Sequence, residues 1–243
     1  MSSRPSMQHL AEQRYDLIVI GAGINGVAIA RDAAMRGLSV LVLDKQDIAS
    51  GTTSWSTRLI HGGLRYLEHR EFSLVRESLH ERERLLHNAP HLVDPLPLIL
   101  PIYDGAKRGP KLIRLGMGLY DVLSYDKSLD HHHMLSRKAT MQRLPGLNAD
   151  GLRASARYYD AQITFAERLA VEQMRSAEQH GARFRTYCQV ERIVTEGAVV
   201  RGVEAVDLRS GERETLHAKT VLNFPGPWVD CLLEAVPSPY RPD

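Results

Sequence analysis

Three glycines near the start of the chain have the spacing of a phosphate-binding turn. Gly21, Gly23 and Gly26 form the pattern G-x-G-x-x-G, and the acidic Asp44 follows later. In this pattern the first glycine permits a tight turn, the second lets the backbone approach a pyrophosphate, and the third lets helix and strand pack closely. The acid can bind an adenosine ribose, and its charge would repel a 2′-phosphate. The spacing therefore indicates a dinucleotide site for a cofactor other than NADP.

The elements around these glycines are those that such a turn needs. Residues 17–20 are an apolar run of strand length, and residues 24–36 have a helical pattern with small alanines toward the sheet. Gly37 suits the left-handed residue that ends a helix, and residues 39–43 predict a second buried strand. This β-α-β unit places the turn at a helix N-terminus, where free N–H groups attract a pyrophosphate.

Composition argues against several classes of function. Lys and Arg number 31 and Asp and Glu 29, so no overall charge favours nucleic acid. Cys188 and Cys231 lack metal or redox spacing, and we expect both to be buried in a reducing compartment. Residues 1–13 lack the apolar segment of a signal peptide, and no apolar run is long enough to span a bilayer. We expect a cytoplasmic protein, with peripheral attachment to the inner face of the membrane as the alternative.

The middle of the chain predicts helices and leaves two interpretations open. Residues 71–87 predict an amphipathic helix whose charged run at 81–84 is a solvated face, and the prolines that follow leave a short strand at 98–100. Residues 110–123 predict a helix that is apolar nearly all round and is therefore buried, with seating on a membrane as the alternative. The histidines at 131–133 suggest a metal site, but no carboxylate cluster accompanies them, so a polar loop is favoured and no metal is expected.

The last third of the chain predicts a small β-meander that returns to the first sheet. After a strand at 153–159, Thr164 and Glu167 form a capping box for a helix that ends before Gly181. The strands expected next are 183–187, 189–194, 199–208, 212–217 and a separate last strand at 220–224. A fold that binds only NAD would be expected to repeat β-α-β instead. The meander therefore favours FAD.

Several blocks of sequence resemble the FAD-dependent glycerol-3-phosphate dehydrogenases, flavoproteins of glutathione-reductase-like fold. They are DLIVIGAGINGVAIARDAAMRGLSVLVLD from Asp16, LIHGGLRYLE from Leu59, EFSLVRESLHERERLL from Glu71, YYDAQITFAERL from Tyr158 and GPWVD from Gly226. The resemblance implies an α/β chain: a Rossmann-like FAD-binding domain with a β-meander and a helical insertion. It also implies oxidation of sn-glycerol 3-phosphate to dihydroxyacetone phosphate, with electrons passed to quinone or another acceptor.

The resemblance also assigns residues to the cofactor and the substrate. FAD would be held by Gly21, Gly23, Asn25 and Gly26 at the pyrophosphate, Asp44 at the ribose, Thr53, Ser54 and Thr57 at the phosphate and ribityl region, His61, Gly62 and Gly63 near the isoalloxazine, Val190 at the adenine, and Gly226. Arg65 and Tyr66 would face the substrate, and a surface salt bridge with Glu68 is the alternative for Arg65. His61 has two interpretations, a base for the hydroxyl proton or, as favoured, a ring that packs against the flavin.

Two departures from the family bear on these expectations. Phe224-Pro225 stands where the family usually has two small residues, which predicts crowding of the cofactor-facing turn. The chain ends at Asp243, whereas family members continue into a substrate domain. We therefore expect a polar tail at 1–14, an FAD-binding domain at 15–236 with an insertion at about 64–150 and a meander at about 183–218, and a truncated tail at 237–243, with little turnover from this chain alone.

Three alternatives are left open by the sequence. One is a non-catalytic fragment that binds FAD, and another is an amino-acid or amine oxidase on the same fold, which LIHGGLRYLE disfavours. The third concerns assembly, because the chain could form a homodimer or attach peripherally to a membrane.

Overall fold

The computed structural model describes residues 5–233, with the side chain of Glu68 left out, so the predicted tail at 237–243 lies outside the described residues. The chain divides into two compact units, the first formed by Met1–Ser56 with Phe165–Asp243 and the second by Thr57–Thr164. The strands are β1 Arg14–Ile20, β2 Val40–Leu43, β3 Leu59–Ile60, β4 Val93–Tyr103, β5 His133–Ser136, β6 Leu152–Ile163, β7 Arg183–Arg185, β8 Cys188–Glu196, β9 Val199–Asp207 and β10 Arg213–Asn223. The α-helices are α1 Met7–Ala11, α2 Ile24–Met35, α3 Phe72–Asn88, α4 Pro110–Leu123, α5 Arg137–Arg143, α6 Ala166–Gln179 and α7 Val229–Leu233.

The first unit is built on a six-stranded sheet in the order β7-β2-β1-β10-β9-β8. The strands β7, β2, β1 and β10 run parallel, and β9 and β8 continue the sheet in antiparallel fashion. The prediction of separate strands at 212–217 and 220–224 is wrong, because β10 is one strand. Its first half pairs with β9 and its second half with β1, which joins the meander to the parallel sheet.

Both faces of this sheet are covered, as continuous apolar strands require. Ile18 and Ile20 point into one core with Met7 and Leu10 of α1, whereas Val19 points into the other core against α2 and α6. The alanines of α2 and α6 lie in this second core and let the two helices approach closely: Ala30, Ala33, Ala34, Ala170 and Ala177. Cys188 is buried in the first core, but Cys231 is exposed, so the expectation that both thiols are buried is wrong for Cys231.

The predicted capping box of α6 is not formed. The helix begins after Phe165, which makes no side-chain capping bond, and Thr164 instead accepts a hydrogen bond at its carbonyl from Arg58. The predicted terminator is present, since Gly181 has a φ of +95°. The end of the helix thus follows from the local conformation of Gly181, whereas its start coincides with a tertiary contact between Arg58 and Thr164.

The second unit is organised around β6, which pairs antiparallel with β3, β4 and β5. The predicted short strand at 98–100 is in fact the eleven-residue β4. Pro95, Pro97 and Pro101 lie on alternate positions of this strand. In the described sheet β4 is an edge strand, because it pairs with β6 on one side only. A proline on the unpaired side of an edge strand removes no ladder hydrogen bond. For this reason the prolines do not break the strand.

Helix α4 is formed as predicted, but its expected burial is wrong. Met117 and Tyr120 are buried, whereas Leu112, Leu115 and Val122 are exposed; Leu115 is 71% exposed. A Cβ on Gly116 or Gly118 would meet no atom within 4 Å in the described structure, so these glycines mediate no close contact. The helix therefore presents an apolar surface stripe.

Two of the three histidines lie in the expected loop, and the third lies in a strand. His133 begins β5, and both His131 and His132 approach the Oδ2 atom of Asp121, at 3.3 Å and 2.7 Å between nitrogen and oxygen. Lys127 binds the other oxygen of Asp121. A single carboxylate, that of Asp121, thus contacts His131 and His132, and residues 5–233 contain no group of three ligands suited to a metal ion.

Within the described range, every helix is too short or too polar to cross a lipid bilayer.

Candidate functional site

The glycine turn joins β1 to α2 in the first unit, and two of its glycines are required by the fold itself. Gly21 has a φ of +101°, and a Cβ there would lie 2.2 Å from the carbonyl oxygen of Phe224. A Cβ on Gly26 would lie 1.9 Å from the carbonyl oxygen of Gly21. Gly23 differs, because the nearest atom to its Cβ position is Thr53 Oγ1 at 3.4 Å. Gly23 is therefore the least crowded of the three glycines, and its backbone at the helix N-terminus suits the approach of a pyrophosphate.

Asp44 ties the end of β2 to the glycine turn. Its Oδ2 accepts a hydrogen bond from the Ala22 N–H at 2.7 Å, and its Oδ1 accepts one from the Gln46 N–H at 2.8 Å. Each carboxylate oxygen has a second lone pair, so Asp44 can still bind ribose hydroxyls. The carboxylate thus shapes the turn as well as remaining available to a ligand.

The hydroxyl residues that follow β2 are partly engaged within the chain. Thr53 Oγ1 accepts a hydrogen bond from the Ile24 N–H at 3.0 Å, which satisfies one free donor at the start of α2. Ser54 Oγ donates to the Ala49 carbonyl at 2.7 Å. Asn25, in the first turn of α2, is exposed. Thr57 is exposed too, and it belongs to the second unit.

A cavity of about 320 Å³ in the first unit brings together three of the predicted cofactor residues, Gly21, Asp44 and Val190. Lys45 and Trp228, which the sequence did not single out, line it as well. The Lys45 ammonium lies 3.7 Å from the centre of the Trp228 ring, a cation–π distance. This cavity has the polar residues and the size to enclose part of a nucleotide.

The side chain of Phe224 lies in a core, whereas the backbone of Phe224-Pro225 lies against Gly21 in the glycine turn. The Phe224 ring packs against the core on the helix side of the sheet, and its N–H continues the ladder to the Ile20 carbonyl at 2.8 Å. Pro225 has an ordinary φ of −76° and lines the cavity. Gly226 follows with a φ of +66° and begins the 3-10 helix Gly226–Trp228. The bulky ring is therefore accommodated in the core.

In the second unit, the Gly62-Gly63 turn is required by packing within the chain. A Cβ on Gly62 would lie 2.3 Å from both a methyl carbon of Leu79 and the hydroxyl of Tyr120. Gly63 has a φ of +66°, and a Cβ there would lie 2.2 Å from the Tyr66 ring. Neither glycine can be replaced without moving these neighbours.

A cavity of about 550 Å³ in the second unit is lined by all three residues predicted to face the chemistry, His61, Arg65 and Tyr66. His69 and Tyr158 line it too, and the sequence did not single them out. Arg65 is exposed and has no ion-pair partner among the side chains that the structure describes. The Glu68 side chain is not among them, so the predicted salt bridge between Arg65 and Glu68 stays untested. The lining offers one guanidinium, two imidazoles and two tyrosine hydroxyls to a ligand, and it also includes the Asp160 carboxylate.

A buried ion pair at this cavity, one member of which is the lining residue Asp160, was not predicted from the sequence. Arg82, predicted to lie on a solvated face, is 0% exposed, and its Nη1 donates to Asp160 Oδ1 at 2.7 Å. The Tyr120 hydroxyl donates to the same oxygen at 2.8 Å, and burial next to Asp160 raises the pKa of Tyr120 far above its usual value. A signal did exist, because Arg82 falls in register with Val75 and Leu79 on the apolar stripe of α3.

Comparison with known proteins agrees with the resemblance. A family model described as FAD dependent oxidoreductase matches residues 16–242. The chain is 50% identical over 233 residues to a glycerol-3-phosphate dehydrogenase of Synechocystis and 39% identical over 224 residues to an aerobic glycerol-3-phosphate dehydrogenase of Staphylococcus haemolyticus. These matches cover 95% and 92% of this chain but 42% and 40% of the relatives. The chain thus spans less than half the length of these relatives.

Solved structures show the same likeness. The glycerol-3-phosphate dehydrogenase from Bacillus halodurans, complexed with FAD, superimposes with a TM-score of 0.72 at 31% identity, over 94% of this chain and 38% of that one. An L-proline dehydrogenase from P. horikoshii gives a TM-score of 0.71 at 18% identity over 92% of this chain and 56% of that one, which shows the fold alone. The predicted α/β flavoprotein fold and the resemblance are both confirmed. The chain belongs to the FAD-dependent oxidoreductase family.

Proposed function

We propose that this chain is the FAD-binding part of a glycerol-3-phosphate dehydrogenase, which oxidises sn-glycerol 3-phosphate to dihydroxyacetone phosphate and passes electrons to quinone or another acceptor. The observation that carries the proposal is the cavity lined by His61, Arg65 and Tyr66, within a segment of sequence that the resemblance singles out. The 50% identity to the Synechocystis relative supports the same assignment.

The residues of the first unit fit FAD. Gly23 leaves room at the N-terminus of α2, Asp44 keeps acceptor capacity for a ribose, and Val190 lines the same cavity as Asp44. The resemblance names these residues as those that would hold the cofactor: Gly21, Gly23, Asn25, Gly26, Asp44, Thr53, Ser54, Thr57, His61, Gly62, Gly63, Val190 and Gly226. When bound, FAD supplies the acceptor for the hydride.

Arg65 is the residue best suited to anchor the substrate. Its planar guanidinium can bind a phosphate through two parallel hydrogen bonds, and it forms no ion pair with a described carboxylate, because Asp160 of the same cavity is paired with Arg82. Tyr66 and His69 border the same cavity and can add hydrogen bonds to a phosphate or a hydroxyl. Such anchoring holds the carbinol carbon in place, which accounts for much of the rate of a bound reaction.

Flavin spectroscopy tests the proposal. The purified chain is loaded with FAD, made anaerobic, and mixed with sn-glycerol 3-phosphate, glycine or L-proline in separate experiments. Bleaching of the flavin by glycerol 3-phosphate alone supports the dehydrogenase, whereas bleaching by an amino acid supports the amino-acid oxidase alternative. Because the chain spans 42% of the Synechocystis relative, a chimera in which residues 1–243 replace the matching part of that relative is assayed in parallel by dye reduction. A chimera that holds FAD but does not reduce the dye with glycerol 3-phosphate would contradict the proposal.

We further propose that the exposed stripe of α4 attaches the protein to an anionic membrane surface. Leu112, Leu115 and Val122 of α4 are exposed, as is Tyr125 just after the helix. The start of the helix is basic, through Lys107, Arg108, Lys111 and Arg114. An amphipathic helix with basic residues beside its apolar face binds lipid headgroups in this way.

Vesicle sedimentation tests the membrane proposal. We expect the chain to sediment with phosphatidylglycerol vesicles and to remain free of phosphatidylcholine vesicles. Leu115→Glu should abolish binding, and Leu208→Glu, at a 51% exposed leucine of the first unit, is the control that should leave binding unchanged. Self-association without lipid that Leu115→Glu removes would instead assign the stripe to a homodimer.

A further inference from the structure

One carboxylate oxygen, Oδ1 of Asp160, collects hydrogen bonds from three parts of the second unit. Arg82 Nη1 of α3 donates at 2.7 Å, the Tyr120 hydroxyl of α4 at 2.8 Å, and the Gly62 N–H at 3.2 Å. The Gly62 N–H also donates to the Tyr120 hydroxyl oxygen at 3.0 Å. All three side chains are buried, with 2% exposure for Asp160 and 0% for Arg82. The Gly62-Gly63 turn is therefore tied to two helices and to β6 at one point.

Stability alone does not explain this cluster. Taking a charged pair out of water has a large desolvation cost, which is recovered only when the remaining donors and acceptors are satisfied. Arg82 Nη1 makes a second bond to the Tyr159 carbonyl at 3.1 Å, but its Nε and Nη2 atoms have no partner among the described residues. Apolar side chains of similar volume could fill this space at least as stably. The role of the cluster is thus better sought in the geometry that it imposes.

The geometry leads directly to His61. The Gly63 N–H donates a hydrogen bond to the Nδ1 atom of His61 at 3.1 Å. A ring nitrogen that accepts a hydrogen bond carries no proton, so neutral His61 has its proton on Nε2. The ring lines the 550 Å³ cavity together with Arg65 and Tyr66. The direction in which the Gly63 N–H points is set by the turn, and the turn is held by the cluster.

We propose that Arg82, Tyr120 and Asp160 form a positioning cluster that fixes the Gly62-Gly63 turn and thereby holds neutral His61 in the Nε2–H tautomer. His61 then presents a hydrogen-bond donor to an oxygen atom of a ligand in the cavity. The inference rests on the proposed function only in regarding that ligand as a phosphorylated polyol. Tyr158 supports the cluster, because its ring lies edge-on to Tyr120 with 6.0 Å between ring centres.

The tautomer of His61 can be measured on the FAD-free chain. Long-range ¹H–¹⁵N spectra are recorded at pH 8 on the chain labelled with ¹⁵N-histidine, and the His61 signals are assigned by their loss in His61→Gln. We expect an unprotonated Nδ1 and a protonated Nε2. Tyr120→Phe keeps the ring but removes the hydroxyl, and it should give a mixture of both tautomers. In Tyr120→Phe the rate of hydrogen exchange at the Gly62 amide should also rise by about fivefold or more, because this amide loses its hydrogen bond to the Tyr120 hydroxyl.

Two controls separate positioning from a general effect on the fold. Tyr125→Phe removes a hydroxyl from a 77% exposed tyrosine and should leave the His61 spectrum unchanged. Arg82→Met should shift the tautomer as Tyr120→Phe does, whereas Arg84→Met, at an exposed position of the same helix, should not. A proton on His61 Nδ1 in the parent chain overturns the proposal, irrespective of the spectra of the variants. An unchanged tautomer in folded Tyr120→Phe and Arg82→Met overturns it too. Since no FAD is present, neither outcome depends on the flavin-bleaching experiment.

Discussion

Replacing Gly26 with alanine places a methyl carbon 1.9 Å from the carbonyl oxygen of Gly21. Real Cβ atoms stay at least 3.0 Å from such an oxygen, so the end of β1 and the start of α2 must separate by about 1.1 Å. Both groups belong to the backbone and cannot rotate away as a side chain could. Overpacking costs about 1–3 kcal/mol, and the better helix propensity of alanine offsets up to about 1 kcal/mol. Because the clash is between two backbone groups, the upper end of this range applies, and we expect a net loss of about 2 kcal/mol for Gly26→Ala.

The same substitution at Gly116 is the matched control. This glycine lies within α4 and has no atom within 4 Å of its Cβ position, so Gly116→Ala should gain about 0.5–1 kcal/mol. At about 2–4 °C per kcal/mol for a chain of this size, Gly26→Ala should melt about 4–8 °C below the parent. Thermal and urea melts of the FAD-free chain, followed by circular dichroism, measure both variants. A Gly26→Ala variant as stable as the parent would refute the tight packing of this turn.

Three further predictions concern the ligand and pH. Gly23→Ser should change stability by less than about 0.5 kcal/mol, because serine is a good N-cap and its Cβ would make only an ordinary contact with Thr53 Oγ1, yet flavin fluorescence should show FAD affinity reduced about tenfold to a hundredfold. In the chimera, Arg65→Ala should lower kcat/KM about tenfold to a hundredfold while FAD stays bound, and an unchanged kcat/KM would place Arg65 outside the substrate site. Hydrogen bonds from Lys219 and Ser39 lower the pKa of Asp16 from 3.8 to about 2, so its stabilising effect is complete above pH 3.8 and is lost as the pH falls through 2. Asp16→Asn should therefore melt below the parent at pH 6, with a Tm difference that disappears near pH 2; a difference independent of pH would contradict this assignment.

The first β-α-β unit could be predicted because its information is local. The apolar run of β1, the glycine turn and the terminator Gly37 each act within a few residues, and the structure places all of them as expected. The return of β10 to the sheet was also visible, since its apolar residues follow the meander. The predicted division of β10 into two strands was wrong, because this strand changes its partner from β9 to β1 without a break in the chain.

The buried ion pair could not be predicted with the same rules. Arg82 and Asp160 are 78 residues apart, and the surrounding sequence at 81–84 has the composition of a solvated face. Only the register of Arg82 with Val75 and Leu79 indicates burial, and that register does not name the partner. The prediction that α4 is buried failed for the opposite reason. Its apolar composition indicates that the face prefers to leave water, but composition does not say what would cover it.

The prolines of β4 give the second unit an edge that resists sheet growth. Strands associate when each offers both N–H donors and C=O acceptors along its free side. With Pro95, Pro97 and Pro101 on alternate positions, the free side of β4 carries acceptors without the matching donors at these three points. An incoming strand, whether from a second copy or from a partly unfolded chain, would find its own acceptors unsatisfied there. Amyloid-like stacking through β4 is thereby disfavoured.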